Sequence, residues 1–142
     1  MKLNTYLHFN GNCEEAMNYY ADVLGGDITM MMPFKDAPEE VRKDLPESVY
    51  ELIMHSTLEI GDRAILASDF VSDKEPFNNG NNFAVSINTD DEDEAIAIFN
   101  GLSEEGKVLM PLEPAFWGGK FGMLCDKFGV NWMLSLNDNS HA

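Results

Sequence analysis

Leu7-His8-Phe9-Asn10-Gly11-Asn12-Cys13-Glu14-Glu15-Ala16-Met17-Asn18-Tyr19-Tyr20 decides the fold, because the chain writes this layout twice. Val85-Ser86-Ile87-Asn88-Thr89-Asp90-Asp91-Glu92-Asp93-Glu94-Ala95-Ile96-Ala97-Ile98-Phe99 again runs a strand into a helix. Glu15 and Glu94, Ala16 and Ala95, and Tyr20 and Phe99 share one offset. Each copy then meets glycine (Gly25-Gly26, Gly106), a short apolar strand and a proline (Pro33, Pro111). Two half-domains of this kind bury a core by packing, and a seam between such halves makes a natural cleft.

Outward from these stretches, alternation and breakers mark the other elements. Leu3 to Phe9 reads as a strand, with Leu3, Leu7 and Phe9 on one parity. Asn12 suits an N-cap, and Glu15 completes a capping box. The helix runs to about Leu24, with Ala16, Tyr19, Tyr20, Val23 and Leu24 as its stripe, and Gly25-Gly26 ends it. Asp27 to Phe34 reads as a strand, and Lys35 to Ser48 as a loop with one helical turn. Val49 to Ile60 and Arg63 to Phe70 are strands joined at Gly61-Asp62. In the second copy, Phe83 to Thr89 is a strand, and Asp91 caps a helix ending near Leu102. Lys107 to Met110, Ala115 to Cys125 and Val130 to Leu136 follow as strands, the last two joined by Asp126-Lys127-Phe128-Gly129. The expectation is one α+β domain of two tandem βαβββ modules, about 1–70 and 83–137 with a linker at 71–82. They form a curved, mostly antiparallel sheet or half-barrel with the helices outside.

The 142 residues suffice for a proper core, and 44% are hydrophobic. Nine basic against 25 acidic residues leave a formal charge of −16. Such a surface repels phosphate backbones and anionic lipid, so nucleic acid and membrane are not expected partners. No apolar run is long enough for a signal peptide or a membrane span. Two cysteines, Cys13 and Cys125, make no disulfide framework, and a reducing cytoplasm is the simplest compartment. The polar tail from Asn137, including His141, reads as frayed and without a role.

The double βαβββ pattern resembles the vicinal oxygen chelate superfamily of glyoxalase I, bleomycin-resistance proteins and extradiol dioxygenases. Several stretches resemble its PhnB-like branch. They are Tyr6 to Ala16, the Tyr19-Tyr20 to Gly26 helix end, His55 to Gly61 and Ala67-Ser68-Asp69. Phe116-Trp117-Gly118, Phe121-Gly122 and Asp126 to Trp132 complete the set. Members of this branch often carry a demethylubiquinone methyltransferase label. The sequence holds no glycine-rich strand-to-helix loop for a nucleotide-like cofactor.

The resemblance implies a divalent metal held by His or Gln on the first strand of each half and Glu on the last. Carried over position by position, these fall on Thr5, on the neighbourhood of Ala67 before Asp69, on Phe83 or Ala84, and on Met133. None of these supplies the expected donor, and methionine is too soft to replace a hard carboxylate. His8 lies close to the first position but on the opposite parity, and is expected to sit beneath the first helix. A one-residue slip of register would exchange the two.

The expected function is therefore small-molecule binding by a glyoxalase/bleomycin-resistance fold, dimeric by resemblance, without the usual metal. Bleomycin-resistance proteins of this fold sequester ligands in that way. The alternatives are a divalent-metal lyase, isomerase or dioxygenase using His8 and His55, and a non-catalytic structural or interaction domain. His55, Trp117, Phe121, Phe116 and Asp69 are the candidate ligand contacts. His55 equally suits a hydrogen-bonded strand surface, the aromatic residues have core packing as their alternative, and Asp69 suits turn capping better than ligand contact. Trp132 reads as core. Met30, Met31, Met32, Met54 and Met133 suit a plastic lining of which about half must point away. Cys13, at a helix N-terminus but beside Glu14 and Glu15, is expected to be unreactive. Tyr50 and Arg63 are further polar candidates.

Overall fold

The computed structural model describes residues 1–137, and His141 lies outside them. The chain divides into two compact units, Met1–Asn78 and Asn79–Ala142. The first contains β1 (Thr5–Phe9), α1 (Cys13–Leu24), β2 (Asp27–Pro33), a four-residue α2 (Glu39–Arg42), β3 (Ile53–Ile60) and β4 (Arg63–Asp69). The second contains β5 (Val85–Thr89), α3 (Glu92–Ser103), β6 (Lys107–Pro114), β7 (Lys120–Cys125) and β8 (Asn131–Leu136). The α+β class and the tandem βαβββ order are those expected.

Both sheets have the same topology. The strand order is β1-β4-β3-β2 in the first and β5-β8-β7-β6 in the second. The outer pairs β1–β4 and β5–β8 are parallel, and all other pairings are antiparallel. Among the described residues, no helix is long and apolar enough to cross a membrane.

Period-two alternation fixes which side chains meet each helix. In the first module Leu7 and Phe9 are buried, and the Phe9 ring lies 6.3 Å from that of Tyr20 on α1. Leu7 pairs with Ala67, Ala67 with Ser56, and Leu58 with Ile65, so these residues share the helix-covered face. The stripe of α1 is Cys13, Ala16, Met17 and Tyr20, turned slightly from the expected one. In the second module Trp132, Leu134 and Leu136 lie beneath α3, which buries Ala95, Ile98, Phe99 and Leu102.

Several boundaries differ from the sequence reading; β7 begins at Lys120 rather than Ala115, because residues 115–119 form a turn, and two others have identifiable reasons. Residues 49–52 turn rather than extend: Phe34 N–H donates to Leu52 C=O and Lys35 N–H to Tyr50 C=O. β6 continues through Pro111 to Pro114, because it is an edge strand where a missing N–H need not break a ladder.

Two buried aspartates lock the loops. Asp91 caps α3 as expected, accepting from Glu94 N–H at 3.1 Å. Asn12 makes no such bond to α1. Asp69, at the end of β4, replaces it. One carboxylate oxygen accepts from Gly11 N–H at 3.0 Å and Cys13 N–H at 2.9 Å, and the other from Ile53 N–H at 2.8 Å. A charged acceptor serving three backbone donors outcompetes a local amide. Asp126 does the same in the second module. It accepts from Phe128 N–H at 2.8 Å and Val130 N–H at 3.0 Å, and from the Trp132 indole N–H at 2.8 Å. The turn closes at Gly129, whose φ of 90° is costly for any residue with a Cβ.

Candidate functional site

The helix-free face of the first sheet gathers most of the polar chemistry. Tyr6 and His8 alternate with Leu7 and Phe9, so they point away from α1. Tyr6 pairs with Leu66 and His8 with Ser68, while His55 pairs with Met32 and Thr57 with Met30. The Tyr6 hydroxyl lies 3.3 Å from His55 Nδ1, and Thr57 Oγ1 lies 3.5 Å from His55 Nε2. His8 Nδ1 lies 3.4 Å from Ser68 Oγ. The Tyr6 ring stands 5.1 Å from the His8 ring and 5.8 Å from the His55 ring. The Phe70 ring stands edge-on to that of His8 at 6.1 Å.

Proton bookkeeping around His55 is tight. A neutral imidazole has one donor and one acceptor nitrogen. If Nδ1 accepts from Tyr6, Nε2–H faces Thr57; if Nδ1–H donates to Tyr6, the phenol proton is free to point outward. Tyr6 can thus present either an acceptor or a donor, according to the tautomer of its neighbour.

The expectation for His8 is corrected here. The parity assigned to it was right, but the face was not. Leu7 and Phe9 are the helix-covered residues, so His8 lies on the opposite side and not beneath α1. For the same reason Thr5 and Ala67, two positions carried over for metal ligands, lie on the helix-covered parity. Tyr6, Thr57 and Ser68 were missed, although Tyr6 stands two residues from His8, the spacing that shares a strand face.

Asp69 does not join this face. Its carboxylate is 4% exposed and is committed to the three N–H groups of the α1 entry and Ile53, so it is corrected from ligand contact to structural anchor. Arg63 sits exposed at the start of β4 beside Asp62, and Tyr50 lies in the turn before β3. Met31 pairs with Ser56 and so faces α1, unlike Met30 and Met32.

In the second module the aromatic candidates form a chain. Phe116 meets Trp117 edge-on at 4.7 Å, and Trp117 meets Phe121 at 5.6 Å. Phe116 is 97% exposed and Trp117 59%, so neither is a core residue. They ride on a tight β6–β7 turn closed by Gly118 N–H to Ala115 C=O and Ala115 N–H to Gly119 C=O, each 3.0 Å. Phe121 pairs with Ser135 and Met133 with Met123, on the parity opposite buried Trp132 and Leu134. Trp132 is core, as expected.

The metal implied by the resemblance is not matched by these donors. The first module offers two imidazoles and a phenol on its helix-free face. Met133 is a thioether, and Phe83 is an exposed ring just before β5. Among the described residues, no three of His, Cys, Asp and Glu come together as a group that would hold a metal ion.

Cys13 is fully buried, and burial, followed by nearby Asp69 and Glu14, pushes its thiol from 9.0 up to about 12. Ser56 Oγ donates its one proton to Ala67 C=O at 2.9 Å, so the thiol, 3.6 Å away, is the donor to Ser56. The folded state therefore keeps a proton that the unfolded chain releases above pH 9. Stability from this group is complete below pH 9 and is lost as pH rises toward 12. We expect the stability of Cys13→Ala to fall less between pH 9 and 11 than that of the wild type, by up to about 1.4 kcal/mol per pH unit. Urea melts at stepped pH measure this, and parallel slopes for the two proteins would refute it.

The repeated βαβββ module, with one helix on one face of each mixed sheet, is the fold of the vicinal oxygen chelate superfamily. A glyoxalase-related enzyme from Fulvimarina pelagi shares it at 15% identity, with a TM-score of 0.60 over 96% of this chain and 89% of that one. A family model described as 3-demethylubiquinone-9 3-methyltransferase matches residues 1–135, and the chain belongs to that family, the PhnB-like branch of the superfamily. Protein PA1353 from Pseudomonas aeruginosa is 40% identical, with a TM-score of 0.87 over 98% of this chain and 99% of that one. The PhnB protein from Bacillus cereus is 27% identical, with a TM-score of 0.75 over 96% and 99%.

Proposed function

We propose that this protein binds a small organic molecule and does so without the superfamily's usual metal. The observation that carries this reading is the clustering of His8, His55, Thr57 and Ser68 around Tyr6 on one helix-free sheet face, between Met30, Met32 and Leu66. A few convergent polar groups in apolar surroundings are the usual composition of a ligand site. His55 is the residue that sets the hydrogen-bonding role of Tyr6. On the second module, taken by itself, Phe116, Trp117 and Phe121 form an aromatic surface suited to stacking.

Methyl transfer is not part of this reading. A homodimer in a reducing cytoplasm completes the proposal, in keeping with the family resemblance and two free thiols.

The second reading, a metal-dependent lyase, isomerase or dioxygenase, is favoured by the placement of the His8 and His55 rings at 5.1 Å and 5.8 Å from that of Tyr6. Metal analysis of protein purified without chelator separates the two. Stoichiometric zinc, nickel, manganese or iron that survives dialysis, and is lost in His8→Ala and His55→Ala, would establish the second reading and end the first. Ligand-observed NMR of metal-free protein against a fragment library tests the first directly. We expect hits whose affinity falls about tenfold in Tyr6→Phe, the scale of one lost hydrogen bond. A library without a single hit on this protein would count against ligand binding.

A further inference from the structure

Resting on that reading, we infer that the ligand is an oxyanion-bearing molecule, a carboxylate or a phosphate or phosphonate, held with its charged oxygens at Tyr6 between His8 and His55. The chain carries 25 acidic residues among 142 and a formal charge of −16. The two central rows of the helix-free face nevertheless contain none of those acids. Every polar side chain there (Tyr6, His8, His55, Thr57, Ser68) has a hydrogen to donate, and none is an obligate acceptor. The nearest acids on the same parity, Glu59 and Asp27, pair with each other's strand one row further along and are exposed.

The placement has an electrostatic logic. A molecule this acidic repels anions at long range, so an anion site on it must be cleared of carboxylates and furnished with donors. A cation would meet the reverse: a favourable approach, then a site with no negative group to receive it. Tyr6 suits the central role because its hydroxyl proton is free to point outward when His55 Nδ1–H donates to the phenol oxygen. Ser68 Oγ stands within reach of His8 Nδ1 and orients that ring in the same way.

Calorimetric titration of the whole protein with four probes that share a phenyl ring tests this: benzoate, phenylphosphonate, benzamide and benzylamine. We expect at least one anion to bind tenfold or more tightly than benzamide and benzylamine, and the preferred anion tells carboxylate from phosphorus oxyacid. Tyr6→Phe and the double variant His8→Gln/His55→Gln should each erase most of that preference. Both replace exposed or half-buried side chains, and unchanged thermal melts would show that the fold is intact. Benzamide or benzylamine binding as tightly as the anions, with loss in the same variants, would overturn the charge assignment and leave ligand binding standing. Anion binding that survives intact in both variants would overturn the site.

Discussion

Asp69→Asn is expected to destabilise the protein by about 2–4 kcal/mol, although it changes only one atom of the side chain. Both carboxylate oxygens are acceptors: one for Gly11 and Cys13 N–H, the other for Ile53 N–H. An asparagine has one acceptor and one donor group, so in either flip an NH2 faces a backbone N–H. The site is 4% exposed, leaving little room for water to repair the mismatch. Asp69→Ala leaves all three donors without this acceptor and should cost about as much or more. Urea melts give the total, and hydrogen exchange at Gly11, Cys13 and Ile53 shows whether the loss starts there. An asparagine variant within about 0.5 kcal/mol of wild type, the range of an ordinary surface change, would sink this account. Asp126→Asn is the matching experiment in the second module, with the Trp132 indole as one of the stranded donors.

Gly106→Ala and Gly26→Ala should each cost about 2–3 kcal/mol by overpacking. The two glycines occupy the same place in the two modules, between the helix and the next strand. A Cβ on Gly106 would stand 2.4 Å from the Cys125 carbonyl oxygen and 3.0 Å from Asp126 Cα. One on Gly26 would stand 2.6 Å from the Glu59 carbonyl oxygen. These are backbone atoms, of strands at Cys125 and Glu59, and cannot swing aside. Gly25 supplies the control. Its φ is 73° with nothing within 4 Å of a Cβ, so Gly25→Ala carries only the conformational cost, about 1 kcal/mol. Thermal melts of the neighbouring pair separate crowding from backbone strain. A Gly25→Ala variant less stable than Gly26→Ala would reverse this assignment.

The fold was legible because it is written in local patterns repeated at one offset. The Asp91 cap, the double glycine and the alternating strands each have a short-range cause. What was not legible was which face a parity belongs to. Leu7 and Phe9 announce one face of β1 and His8 the other, but only the packing of α1 on Phe9 says which one the helix covers. The position of His8 turned on that single fact. Asp69 was ambiguous for a related reason. Its partners Gly11 and Cys13 are more than fifty residues away, beyond any local signal. Tyr6 could have been found, since it shares a face with His8 whichever face that is. The exposure of Phe116 and Trp117 depends on the glycine turn that carries them, which composition suggested without fixing.

The parallel pairing of first and last strands sets an order of events in time. Thr5 pairs with Ile65, and Val85 with Trp132, so the first strand of each module needs the last one to be made before it can pair. The β3–β4 hairpin closes the tight Gly61-Asp62 turn, the β2–β3 pair closes the longer 34–52 connection, and the β1–β4 closure spans nearly the whole module at the largest entropic cost. While the chain emerges from the ribosome, β1 therefore waits with its apolar side exposed until β4 arrives. Each module completes its sheet with its own final strand, so the duplication gives the chain two separate points of commitment to the native state.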